Sequence, residues 1–75
     1  MKSVRGATYD PEADAAYFDV SPIISPGDAV EQLMIERKNG LIVLDFDKKG
    51  RLLGVEVIGA RKLLSRKTFA AATKI

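Results

Sequence analysis

Three carboxylates occupy alternate positions in Asp10-Pro11-Glu12-Ala13-Asp14, with Tyr9 before them and Tyr17 shortly after. Acids at this spacing open a calcium loop, whose oxygen ligands recur at every second residue. Such a loop also needs a glycine at its sixth position and a bidentate acid at its twelfth, and counting from Asp10 these are Ala15 and Ser21. No metal site is expected, and the segment reads as turn chemistry. Asp10 caps one helical turn, Pro11 fits its first position, Glu12 sits at the positive end, and Asp14 bonds nearby backbone amides. Tyr9 and Tyr17 either stack across the first hairpin or line a partner groove beside the acidic turn. Tyr9, Asp10, Glu12, Asp14 and Tyr17 are therefore the candidate partner-binding residues.

A second acidic group is Asp45, Asp47 and Glu56, on adjacent predicted strands. Paired carboxylates do acid–base work when burial drives their pKa values apart. Here no nucleophile–base pair or glycine-rich phosphate loop accompanies them, so a solvated face offset by Lys49 and Arg51 is expected. The chain has no histidine and no cysteine. It thereby lacks the commonest general base, disulfides, and Cys-based zinc sites. No catalytic residue and no cofactor are assigned.

Charge is unevenly placed. Residues 1–56 carry all ten acids against seven basic residues, whereas residues 57–75 carry five basic residues and no acid. Within that basic segment Arg61, Lys62, Arg66 and Lys67 could contact phosphates, but they lack aromatic interleaving and any nucleic-acid motif. A helix with a solvated basic face accounts for them. Its apolar stripe is too small for a membrane surface, and no apolar run approaches the ~20 residues of a membrane span. The first six residues lead into strand-like and acidic sequence, unlike a signal peptide. A cytoplasmic protein is expected.

These side chains must be positioned by one small domain over residues 1–75, since a chain of this size buries only about 60% of its unfolded surface. Strands are predicted over residues 4–9, 15–20, 29–36, 41–47 and 51–58, and a single helix over 60–72. In the second strand Ala16, Phe18 and Val20 face the core. In the fourth and fifth, Ile42, Leu44 and Phe46 and then Leu53, Val55 and Val57 face inward, with Phe46 and Val55 buried under the helix. Residues 21–27 hold Pro22, Pro26 and Gly27 and form a loop. Asn39-Gly40 predicts a type I′ hairpin, and Gly50 suits a left-handed turn position. Leu63, Leu64, Ala71 and Ala60 make the helix's apolar stripe. The fold class is α+β: an antiparallel β-meander of about five short strands with one C-terminal helix packed on one face. Leu41, Val43, Leu52 and Ile58 fall on the outer face, and a homodimer would cover them.

Three segments together resemble a known family: Tyr9-Asp10-Pro11-Glu12-Ala13-Asp14-Ala15-Ala16-Tyr17, Gly40-Leu41-Ile42-Val43-Leu44-Asp45-Phe46-Asp47, and Gly50-Arg51-Leu52-Leu53-Gly54-Val55-Glu56-Val57. It is a small bacterial and archaeal family known as a domain of unknown function, number twenty-two eighty-three in its series. The resemblance covers residues 4–65 and leaves 66–75 as a basic tail. It implies a sheet-plus-helix domain and no established activity. It also implies companionship with small toxin-like proteins, hence an antitoxin-like role. The reading taken from the residues is a non-enzymatic interaction module, a homodimer with a small protein partner. The alternative is a carboxylate- or metal-dependent small enzyme or a divalent-cation-binding protein.

Overall fold

The computed structural model describes residues 6–74. Val4 and Arg5, at the start of the predicted first strand, lie outside them. Five antiparallel strands form: β1 (Ala7–Asp10), β2 (Ala15–Asp19), β3 (Glu31–Arg37), β4 (Gly40–Phe46) and β5 (Leu52–Ile58). Two short helices follow, α1 (Ala60–Leu63) and α2 (Arg66–Ala71), and then a two-residue strand, β6 (Thr73–Lys74). The sheet order is β3-β4-β5-β2-β1-β6, with β6 parallel to β1.

The order corrects the expected meander. β1–β2 is a hairpin and β3–β4–β5 is a meander, but β2 lies beside β5 rather than β3. Residues 20–30 carry the chain across the ends of β5 and β4 to the far edge, giving a Greek-key order. Short links favour adjacent neighbours; this link is long enough to skip two strands. It is tied down by Val20 and Ser21 amides donating to the Leu53 carbonyl (2.8 and 2.9 Å) and by Val30 N–H to the Phe46 carbonyl (2.9 Å).

Register sets the faces. Ala16 pairs with Val57 and Phe18 with Val55, while Ile42 and Leu44 pair with the same two β5 residues from the other side. These residues share the helix face, as their alternation predicts. The core there is Tyr9, Ala16, Val57 and Ala60, with Phe18, Val55, Leu63, Leu64, Phe69 and Ala72 packed against it. Five residues expected to face inward are not in it: Val20, Ile42, Leu44, Phe46 and Leu53. Val20 follows the end of β2 and is 54% exposed. Phe46 ends β4 opposite Glu31 and Leu52, half-buried and outside the cluster beneath the helices. Leu53 is the extra residue of a bulge, skipped where Asp45 pairs with Gly54 and Phe46 with Leu52.

The single expected helix is also broken. Gly59 enters with φ 84, α1 lasts one turn, and Leu64 turns extended. Ser65 then starts α2 by accepting a hydrogen bond from Thr68 N–H at 3.3 Å. A Ser side chain competes for backbone amides and favours such a cap over a helix interior. The break lets Phe69 turn back onto the sheet, its ring edge-on to Tyr9 at 4.7 Å between centroids. It also delivers Thr73 and Lys74 alongside Thr8 and Tyr9 as β6.

Gly50 has the expected left-handed conformation, φ 78. The β3–β4 hairpin does not have the expected type I′ turn. Arg37 pairs with Gly40, so the two loop residues are Lys38 and Asn39, and neither they nor Gly40 has positive φ. Gly40 serves close approach instead: a Cβ there would lie 2.0 Å from the Ile58 carbonyl oxygen and 3.0 Å from Leu63 Cδ1. Conformational freedom alone makes Gly40→Ala stabilising by about 0.5–1 kcal/mol. The backbone contact makes it destabilising by about 2–3 kcal/mol, as overpacking does. We expect the second result in urea unfolding, and a variant more stable than the parent would remove Gly40 from the α1–β4 junction.

Candidate functional site

The acidic turn is a fastening for the rest of the fold. Pro11–Asp14 form the β1–β2 turn, and Asp14 has φ 50, a conformation that Asp tolerates better than most residues. Asp10 Oδ1 accepts from Glu12 N–H at 3.0 Å, an Asx turn of the expected kind, though the residues form a turn and not a helical one. Asp14 reaches further. Its carbonyl accepts from Gly59 and Ala60 N–H at 2.9 and 3.0 Å. Its Oδ1 accepts from Tyr9 Oη at 2.8 Å and Arg61 N–H at 3.1 Å, with Arg61 Nε at 4.0 Å. Gly59, at the helix start, has no side chain with which to cap it, so Asp14 caps α1 from across the sequence. Burial, and then the Asp14 hydrogen bond, push the Tyr9 hydroxyl above its usual pKa.

The two tyrosines do not stack. Tyr9 pairs with Ala16 and Tyr17 with Thr8, so their side chains take opposite faces of the hairpin. Tyr9 is buried at 7% exposure within the helix-side core. Tyr17 lies across Gly54 on the other face, so closely that a Cβ on Gly54 would fall 2.2 Å from the Tyr17 hydroxyl. That hydroxyl donates to Asp45 Oδ2 at 3.0 Å, and Gln32 Nε2 donates to Asp45 Oδ1 at 2.9 Å. A polar clasp thus spans β2, β5, β4 and β3. Of the five candidate residues, Tyr9, Asp10 and Asp14 are occupied at the turn and its junction, Tyr17 belongs to the clasp, and Glu12 is left exposed.

The outer face is consequently not the solvated one expected. Asp45 is buried at 9% exposure and Val43 at 3%. Leu41 and Leu52 are half-buried, and Ile58 is 37% exposed. The patch expected to drive dimerisation is largely covered by the chain itself. Asp47 has left the sheet face for the β4–β5 turn. Its Oδ1 accepts from Lys49 and Arg51 N–H, and its Oδ2 from Arg51 Nε, all at 2.9 Å. These Arg51 and Lys49 bonds hold its carboxyl below its ordinary pKa against a smaller opposing effect of burial. Asp47 is thereby separated from Asp45 and Glu56, which stay on the Tyr17 face, and among the described residues no three acids gather in a way that could hold a metal ion.

The basic residues divide as well. Arg61 and Arg66 rim a shallow groove with Lys74, floored by Tyr9, Pro11 and Phe69; Lys62 and Lys67 do not line it. No helix among the described residues is long and apolar enough to cross a membrane.

The surface that composition did not single out is β3. All seven of its residues are exposed, on both faces. Leu33, Met34 and Ile35 are 52%, 61% and 40% exposed, and Val30 just before them is 60% exposed. Among the described residues the strand is the sheet's edge, with β4 on one side and no strand on the other. The sequence did carry a signal: Leu33-Met34-Ile35 breaks the apolar–polar alternation expected of a strand with one covered face.

A family model described as a protein of unknown function, DUF2283, matches residues 7–61. The chain belongs to this family. The match runs from the first residue of β1 to Arg61 in α1, and so includes Asp14 and its partners at 59–61, the Tyr17–Asp45 clasp and the whole of β3. Phe69 and β6 lie beyond it. No curated protein and no solved structure matches the chain.

Asp14→Ala removes the α1 cap and places a residue intolerant of φ 50 in the turn, for an expected loss of about 2–3 kcal/mol. Asp14→Asn keeps an acceptor oxygen and the backbone tolerance, and should lose less than about 1 kcal/mol by urea unfolding. Equal losses in the two variants would mean that Asp14 acts through its charge alone.

Tyr17 supplies a pH test. Burial first, then the hydrogen bond and charge of Asp45, with Asp19 and Glu56 adding, push its pKa from 10.0 up to about 12. Its protonated form is held in the folded chain, so this contribution to stability is complete below about pH 10 and is lost as pH rises from about 10 to 12. The chain has two tyrosines and no tryptophan, which makes tyrosinate absorbance at 295 nm easy to assign. In Tyr9→Phe the remaining tyrosine should titrate well above 10 while the chain is folded. A midpoint near 10 with intact circular dichroism would dissolve the clasp.

Proposed function

We propose that this protein is a non-enzymatic interaction module of the cytoplasm that works as a homodimer and binds a further small protein. The observation that carries the reading is the placement of its uncovered apolar side chains. Val30, Leu33, Met34 and Ile35 lie along one edge, and Val20 and Ile23 lie on the connection leading to it. A monomer whose fully buried residues are mostly small gains by covering such a surface. An antitoxin-like role, with a small toxin-like protein as the partner, is the specific form of this reading that the family resemblance supports. The acidic turn is at the opposite side of the sheet from β3, and Glu12 is the carboxylate it offers to that partner.

Size exclusion coupled to light scattering should give twice the 8.2 kDa chain mass at micromolar concentration. A clean monomer at several hundred micromolar would remove the dimer from the reading.

A further inference from the structure

We propose that two copies of the chain pair antiparallel through β3, edge to edge, about a two-fold axis at Met34, joining their sheets into one. The inference rests on reading the chain as a self-associating module and assigns that module its surface and register.

The two edges of the sheet are treated differently. At one, the C-terminal segment turns back and adds β6 to β1. At the other, seven consecutive residues of β3 are exposed, with no bulge recorded in their pairing to β4 and no proline among them. Edges are normally blunted by short length, bulges, proline or charged side chains; β3 is seven residues long without proline, and its charges Glu31, Glu36 and Arg37 leave Leu33-Met34-Ile35 at its centre uncharged.

The pairing potential of β3 follows from its hairpin. Arg37 and Gly40 close a two-residue loop, and such a closing pair exchanges both backbone hydrogen bonds. Bonded and non-bonded pairs alternate along an antiparallel ladder, so Leu33 and Ile35 also bond inward to β4. The N–H and C=O groups of Gln32, Met34 and Glu36 point outward. A two-fold axis perpendicular to the sheet requires one residue to meet its own copy. Centring on Met34 pairs Met34 with Met34 and Gln32 with Glu36 twice, using all of these outward groups in about six inter-chain hydrogen bonds.

Side chains select the same centre. About Met34, Glu31 of each copy falls opposite Arg37 of the other, and Leu33 falls opposite Ile35. Opposite charges and apolar pairs directly across strands are both favourable. Centring on Leu33 instead sets Glu31 against Ile35, and centring on Ile35 sets Leu33 against Arg37. The strand Glu-Gln-Leu-Met-Ile-Glu-Arg is thus complementary to its own reverse. Because the two-fold axis keeps each face on its own side, Leu33 and Ile35 of both copies form one apolar cluster on the helix side.

Charge exchange tests the register. Arg37→Glu and Glu31→Arg each place like charges opposite one another at both ends, and should raise the dimer dissociation constant about tenfold or more. The double variant Glu31→Arg/Arg37→Glu should return it close to the parent value. All these side chains are exposed, and circular dichroism will show whether each variant is folded. Since the chain lacks cysteine, Met34→Cys should form a covalent dimer under mild oxidation, whereas Gln32→Cys, four residues out of register with its own copy, should not. A dimer unaffected by single reversals overturns the edge pairing and leaves self-association to another surface. Failure of the double variant to recover, or equal cross-linking at both cysteine positions, overturns the Met34 register. A parent chain that remains monomeric overturns both this proposal and the dimer.

Discussion

Asp14 bonds through both its backbone and its side chain to a segment 45 to 47 residues later, and the helix side of the molecule is arranged around that junction. The constraint behind it is simple. The helix α1 has one turn, so nearly all its amides are terminal and none can be left unpaired against the sheet. Gly59 cannot cap it with a side chain. Asp14 on the β1–β2 turn supplies the acceptors instead, and its left-handed conformation aims its backbone carbonyl oxygen at Gly59 and Ala60 and its Oδ1 at Arg61. Once α1 is fixed, Ala60 is pressed onto Val57 and Ala16, and Leu63 is brought against Gly40. Tyr9 is locked by the same carboxylate and becomes the surface on which Phe69 docks. Remove the junction and the second helix has nothing to turn back upon.

Among the described residues no helix lies on the opposite face, and a polar network does the covering there. Gly54 lets the Tyr17 ring lie flat over β5, and the Tyr17 hydroxyl and Gln32 amide satisfy both oxygens of Asp45. A buried carboxylate with both oxygens bonded is far less costly than one left open. The same arrangement shields Val43, its neighbour along β4.

Strand existence was legible in the sequence because it rests on alternation and turn residues, which are local. All five long strands were found, with ends shifted by up to two residues where described. The faces of β4, and of β5 from Gly54 onward, were also legible, since period two fixes them once one residue is placed, but the bulge at Leu53 interrupts that period at the start of β5. What failed depended on non-local contact. Asn39-Gly40 looks like a hairpin turn until the close approach of Ile58 gives Gly40 another purpose. Ala60–Ala72 looks like one helix because helical propensity does not register that Ser65 gains more as a cap and Phe69 more as a partner for Tyr9. The acids were grouped by strand alternation, which cannot foresee that Asp47 would be claimed by its own turn or that Tyr17 would reach across an absent side chain to Asp45. Tyr9 and Tyr17 were grouped by nearness in sequence, although an odd number of intervening residues around a hairpin does not determine a shared face.

These outcomes bear on why β3 is exposed. The buried core consists of Ala7, Tyr9, Ala16, Val43, Leu53, Val57 and Ala60, mostly small side chains. Both helices together are too short to reach beyond β5 and the start of β4, and the polar clasp ends at Gln32. Among the described residues neither face therefore has anything left to lay over Leu33, Met34 and Ile35. A soluble monomer under selection only for its own stability would carry charge at these positions. An apolar centre flanked by Glu31 on one side and Arg37 on the other is instead what a strand needs to recognise its own reverse, with burial supplying affinity and the terminal charges rejecting other registers.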